Sequence, residues 1–150
     1  MAHLSIPSPV GALSIFSDDE EIVALDWGRV EPDGDSPVLN AAAEQLRQYF
    51  AGELATFDLP LRPEGTEHER AVWQAMCDIP FGETRTYGDL ATATGSVARA
   101  VGGACGRNPI PVIIPCHRVV GADGSMTGFS GGEGVETKQW LLRHEGALLL

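Results

Sequence analysis

Asn108-Pro-Ile-Pro-Val-Ile-Ile-Pro-Cys-His-Arg-Val-Val120 is the stretch around which the rest of the chain is organised. An apolar run containing the β-branched residues Val112, Ile113 and Ile114 delivers Cys116 and His117 to the point where the run ends. Pro111 and Pro115 lack an N–H and cannot join a central ladder, so the stretch reads as a rigid extended segment and not as a core strand. The plainer reading of Cys116 is a buried small hydrophobe. Its neighbours Pro115, His117 and Arg118 argue for a placed thiol instead, because cationic neighbours favour the thiolate, which is the nucleophile.

Working outward toward the N-terminus, Gly106 closes a run that begins at Val97. That run is bare (Ala98, Ala100, Gly102, Gly103, Ala104), and Arg99 is its one long polar side chain before Arg107. Two adjacent glycines cost a helix up to ~1 kcal/mol each relative to alanine, so small residues there point to close backbone approach, by another helix or by nucleic acid. Ser96 is the expected N-cap of this helix. Gly95 ends a shorter one that opens at Tyr87, with Thr86 as its N-cap and Asp89 near its positive end. Helix, glycine turn, helix is the helix-turn-helix pattern, a weak signal on its own. Further back, Thr66-Glu67-His68-Glu69 is a capping box opening a helix with an apolar stripe through Val72, Trp73, Met76 and Ile79. Cys77 is expected in the core with that stripe, and Pro80-Phe81-Gly82 ends the helix.

Beyond Val120, Gly121 to Gly124 reads as a turn. Gly128 to Gly134 is a glycine-rich loop carrying Phe129 and Ser130, and residues from Val135 to about His144 form an amphipathic helix with Trp140, Leu141 and Leu142, closed by Glu145-Gly146.

The first 63 residues carry no evident chemistry. Leu13 and Ile15, then Ile22-Val23-Ala24-Leu25, read as strands of a β-hairpin about the polar cluster Ser17-Asp18-Asp19-Glu20. A Pro/Gly/Asp-rich loop covers 29–37, and apolar residues from Leu39 through Ala42, Ala43, Leu46, Tyr49 and Phe50 have helical spacing, with Gly52 as the stop. Thr56 to Leu59 is expected to return as a strand, and 60–65 to act as a linker. The fold class is therefore α/β in the α+β sense: residues 1–63 a small supporting α/β lobe, and residues 64–150 a mainly helical domain with the helix-turn-helix and the cysteine segment.

The chain's 150 residues suffice for one compact domain or two small lobes. No apolar run approaches the ~20 residues of a membrane helix, and no basic segment followed by a long apolar one opens the chain, so neither membrane attachment nor a signal peptide is expected. Three cysteines without framework spacing (Cys77, Cys105, Cys116) suit a reducing compartment: the cytoplasm, or the nucleus of a cell that has one. The net charge of −11 argues against nucleic acid. Its distribution weakens that objection: residues 1–63 hold 11 acids and 3 bases, whereas 84–130 hold Asp89 and Asp123 against Arg85, Arg99, Arg107 and Arg118, net +2.

Taken together, Pro115-Cys-His-Arg-Val119, Tyr87-Gly88, Arg99-Ala-Val-Gly-Gly103, Asn108-Pro109, Gly128-Phe-Ser-Gly-Gly132 and Trp140-Leu-Leu-Arg-His-Glu-Gly146 resemble the O6-alkylguanine-DNA alkyltransferases. The match spans roughly residues 66 to 146. The resemblance implies irreversible, once-only transfer of an alkyl group from O6-alkylguanine, and from O4-alkylthymine, in double-stranded DNA to Cys116. It implies that His117 activates the thiol through a water, that Glu145 orients His117, that Tyr87 donates to guanine N3, and that Asn108 braces the segment. Arg118 is read as structural. The pocket for the extruded base is implied at Val119, Phe129, Ser130, Gly131 and Pro111. DNA contacts are implied at Thr86, Ser96, Ala98, Gly102 and Arg107, with Arg99 filling the space the flipped nucleotide leaves. A monomer with no cofactor and no metal is expected; some relatives hold zinc in the first lobe, but this one has no cysteine there and only His3. Two departures stand out: a short turn between Gly95 and Arg99, and a longer, acidic stretch after Gly132.

Other classes fit less well. A lesion-binding protein without transfer would lack the acceptor cysteine. A Cys116–His117–Glu145 hydrolase needs a direct Cys–His contact that adjacent residues of an extended segment cannot make. Cys105, Cys116 and His117 match no common zinc spacing. A plain helix-turn-helix regulator leaves the Pro-Cys-His-Arg segment unexplained.

Overall fold

The computed structural model describes residues 1–126, 132 and 134–148. The chain packs as two compact units, Met1–Glu64 and Gly65–Leu150.

In the first unit, strands β1 (Ala2–Ile6), β2 (Leu13–Asp18) and β3 (Glu21–Trp27) form an antiparallel sheet in that order. The β2–β3 connection is Asp19-Glu20, both at positive φ (53° and 58°), the turn whose twist matches that of the flanking strands. Glu20 holds this unusual conformation because its carboxylate accepts hydrogen bonds from Ser36 Oγ (2.8 Å) and Val38 N (3.1 Å) at the start of helix α1 (Pro37–Phe50). Ser36 caps α1 and Pro37 opens it, so the helix begins two residues before the apolar spacing does. Val38, Leu39, Ala42, Ala43, Leu46 and Tyr49 of α1 are buried, as are Ile6, Leu13, Ile15, Ile22 and Leu25 of the sheet. The strand expected at Thr56 to Leu59 does not form. Asp58 N donates instead to the Gln45 side chain, and the chain meets β3 only afterwards, through Ile22 N to Pro60 O and Arg62 N to Ile22 O. Pro60 has no N–H to extend that pairing backwards.

The second unit holds helices α2 (Glu67–Cys77), α3 (Tyr87–Thr94), α4 (Ala98–Gly106) and α5 (Val135–His144). The capping boxes Thr66/Glu69 and Thr86/Asp89 both close. Gly95 ends α3 at φ 67°, a conformation that costs any residue with a Cβ. Trp73 Nε1 donates to Ala104 O (2.9 Å), tying α2 to α4. Ser96 does not cap α4: its hydroxyl sits 2.8 Å from His68 Nε2, and Val97 occupies the cap position without a side-chain hydrogen bond. Cys77 is exposed, contrary to the expected core position. It is the last residue of α2, one step past the buried set Glu69, Val72, Trp73 and Met76. No described helix is long and apolar enough to cross a membrane.

Candidate active site

The segment expected to be extended is a chain of turns. Ile114 N closes on Ile110 O (2.8 Å), and Val112 between them lies at φ 73°, a region that β-branched residues rarely enter. The two prolines and the packing of Ile110, Val112, Ile113 and Ile114, all at most 5% exposed, drive the run into a compact strap. Asn108 clasps it: its Oδ1 accepts from Ile110 N (3.0 Å) and its Nδ2 donates to Ile114 O (2.9 Å). Cys116–Arg118 then make one turn of 3-10 helix, closed by the Val119 N–H donating to the Cys116 carbonyl.

Strand β5 (Val119–Val120) pairs in parallel with β4 (Arg85–Thr86), Arg85 opposite Val119 and Thr86 opposite Val120. That pairing fixes the start of α3, and with it Tyr87, beside the end of the cysteine turn. Cys116, His117, Glu145, Asn108, Val119 and Tyr87 therefore belong to one neighbourhood, with Pro111 buried in the strap.

Electrostatics divide the neighbourhood in two. Glu145 and Arg118 form a bidentate pair, Arg118 Nε to Oε1 at 2.8 Å and Nη2 to Oε2 at 3.1 Å, while Arg118 Nη1 donates to Ile79 O at 2.7 Å. His117 Nε2 lies 2.7 Å from Glu145 Oε2. Burial holds His117 below its usual pKa even though Glu145 favours its charged form, so the ring is neutral. A carboxylate only accepts, so the proton is assigned to Nε2 and Nδ1 carries the lone pair. Nδ1 is buried and has no hydrogen-bond partner among the described residues.

Cys116 keeps 8% of its surface exposed. Burial pushes its thiol up, opposed by the Asn108 hydrogen bond and the charge of Lys138. The cationic neighbours expected to favour the thiolate are otherwise engaged: Arg118's charge is taken up by Glu145 and His117 is neutral. Chemically, the arrangement can set a thiol beside a neutral imidazole base whose ring is held by a carboxylate that an arginine fixes in turn.

The residues expected to meet DNA lie around α3 and α4. Ala98 and Arg99 are exposed, and a side chain added at Gly102 would meet no atom within 4 Å. Thr86 is occupied in its capping box and Ser96 with His68. Arg107 is ion-paired with Glu69. Phe129, Ser130 and Gly131, named for the pocket, fall outside the described residues. Cys105, Cys116 and His117 belong to no metal-holding group, and none exists among the described residues.

Two families match. One, described as 6-O-methylguanine DNA methyltransferase, ribonuclease-like domain, covers residues 1–63; the other, the DNA binding domain of the same enzyme, covers residues 67–147. The chain belongs to the 6-O-methylguanine DNA methyltransferase family. Relatives called methylated-DNA–protein-cysteine methyltransferase include one from Methanosarcina acetivorans, 42% identical over 98% of this chain and 99% of that protein. The relative from Methanosarcina mazei is 50% identical over 97% of each. Among solved structures, the Mycobacterium tuberculosis OGT in complex with DNA aligns with a TM-score of 0.87 at 42% identity, covering 97% of this chain and 92% of that one.

Sequence reasoning misses Lys138, which reads as a polar position of an amphipathic helix. The residue is 1% exposed, with Nζ 2.6 Å from Val119 O and 5.9 Å from the Tyr87 ring centroid. A signal does exist, because Lys138 stands three, four and seven residues before Leu141, Leu142 and Glu145, on the buried face.

Proposed function

We propose that this protein repairs DNA by moving the alkyl group of O6-alkylguanine, and of O4-alkylthymine, onto Cys116, once per chain. The observation that carries the reading is the buried Cys116–His117–Glu145–Arg118 arrangement in a chain of this family. Cys116 Sγ attacks the alkyl carbon, so that the S–C bond forms as the C–O6 bond breaks and the bonding pair leaves on the guanine oxygen. The thiol proton passes through a water to His117 Nδ1 and ends on the departing guanine, assisted by the Tyr87 hydroxyl at N3. The thioether product is chemically stable, which makes the transfer stoichiometric. The alkylated base is stacked within the duplex, so its nucleotide must be flipped out at a cost of a few kcal/mol. The small-residue face of α4 suits close approach to a groove, and exposed Arg99 is the side chain long enough to fill the gap.

The experiment compares Cys116→Ala and Arg99→Ala at saturating protein. Cys116→Ala binds an O6-methylguanine duplex and transfers nothing; alkyl transfer mapped to Cys77 or Cys105 refutes the assignment. Arg99→Ala slows duplex repair about tenfold or more, equivalent to ~1.4 kcal/mol, and leaves reaction with the free alkylated base unchanged. Equal loss on both substrates removes Arg99 from extrusion.

A further inference from the structure

Lys138 is the only lysine in 150 residues, and it is 1% exposed. Lysine is among the residues least often buried, because its ammonium gives up hydration on leaving water. A burial of that kind, at a position where the sequence uses no other lysine, points to a use for the charge. Lys138 Nζ donates to the Val119 carbonyl at 2.6 Å. The Val119 N–H in turn closes the turn on the Cys116 carbonyl, so the ammonium is anchored to the residue that ends the cysteine turn. From the α3 side the Tyr87 ring lies 5.9 Å away. The other buried charges nearby, Arg118 and Glu145, are matched to one another and leave little net field at the thiol. Burial lowers the Lys138 ammonium and raises the Cys116 thiol; against that, the ammonium favours the thiolate and a thiolate favours the ammonium.

We propose that Lys138 is a positioning residue for alkyl transfer, its ammonium held on the Val119 carbonyl to balance the negative charge that develops on Cys116 Sγ. This rests on Cys116 being the acceptor. Among the described residues, the groups facing the pair are Tyr87 from α3, Cys105 from α4, and Asn108, His117, Arg118 and Glu145 around the turn. Cys105 feels the same ammonium, yet burial pushes its thiol up to about 12, so it stays protonated where Cys116 reacts.

The test uses the full chain and does not depend on DNA. Alkylation of Cys116 by iodoacetamide is followed against pH, with the adduct mapped by mass spectrometry, in wild type, Lys138→Gln and Lys138→Arg. Gln keeps a donor for Val119 without the charge; Arg keeps the charge. The midpoint rises by about one unit or more in Lys138→Gln, a tenfold or larger loss of rate at neutral pH, and Lys138→Arg recovers most of it. Equal profiles for Gln and wild type overturn the proposal, as does a loss in Arg equal to that in Gln. Should Lys138→Gln fail to fold, the wild type decides. Lysine-selective isotope labelling gives a single side-chain NMR signal, which must show a pH step coincident with Cys116 ionisation that disappears in Cys116→Ser; a signal without that step sinks the proposal. Failure of wild type to accept a methyl group from DNA, with the lysine result intact, would instead count against the repair function alone.

Discussion

Glu145 is the residue on which the site's order depends. Its two oxygens serve Arg118 and His117 at once, and all three side chains are withdrawn from solvent. Removing one partner of a buried pair leaves an uncompensated charge, typically at a cost of 3–5 kcal/mol, whereas replacing both is often neutral. Glu145→Gln should therefore lower stability by about 3–5 kcal/mol, and adding Arg118→Met should recover much of it. The rate should not recover. Glu145 favours the charged form of His117, so without it the imidazole is a weaker base, and the thiol must lose its proton to solvent. The single-turnover rate of the double variant should then rise only at higher pH than in wild type. A double variant with the wild-type pH profile would make Glu145 a purely structural partner of Arg118. Denaturant unfolding and pH–rate profiles together check this.

At the scale of elements, the strap from Asn108 to Ile114 shows what local pattern can and cannot read. The β-branched run reads as extended because Val112, Ile113 and Ile114 favour that backbone. What overrides the preference is a side-chain clasp within the segment: Asn108 bonds both Ile110 and Ile114, and the prolines remove ladder donors. Val112 consequently sits at φ 73° with 1% of its surface exposed, a strained arrangement of the kind that costs on the order of 1–3 kcal/mol. Both Val112→Ala and Val112→Gly lose the buried side chain, but only glycine adopts this backbone freely. Val112→Gly should thus be more stable than Val112→Ala by roughly 1 kcal/mol, the reverse of the usual order. Thermal unfolding of the pair measures it, and alanine the more stable of the two would mean the turn carries no strain. By contrast, the helices were legible because their signals are local: Thr66 with Glu69, Thr86 with Asp89 and the αL glycine at 95 all sit within one turn of the ends they set. Ser96 and Cys77 were not legible, since the first depends on where His68 lies across the fold and the second on where a stripe ends.

Across the whole molecule, charge and chemistry are distributed unequally. The first 63 residues carry most of the acid and a sheet–helix core, whereas every thiol and the buried ionic cluster lie in the second unit. Cys116, His117 and Glu145 could be singled out from the sequence because they sit in distinctive motifs. The cation near the thiol could not, because a lysine's burial is settled only when α5 packs on the cysteine turn. Cys116 is proposed to accept one alkyl group and then to be spent. Intact mass of the whole chain, after mixing with excess duplex containing a single O6-methylguanine, tests it most directly. The expected result is a gain of one methylene-equivalent mass, capped at one per chain however long the incubation, with peptide mapping placing it on Cys116. A mass that does not change, a second increment, or an adduct on Cys77 or Cys105 would contradict it.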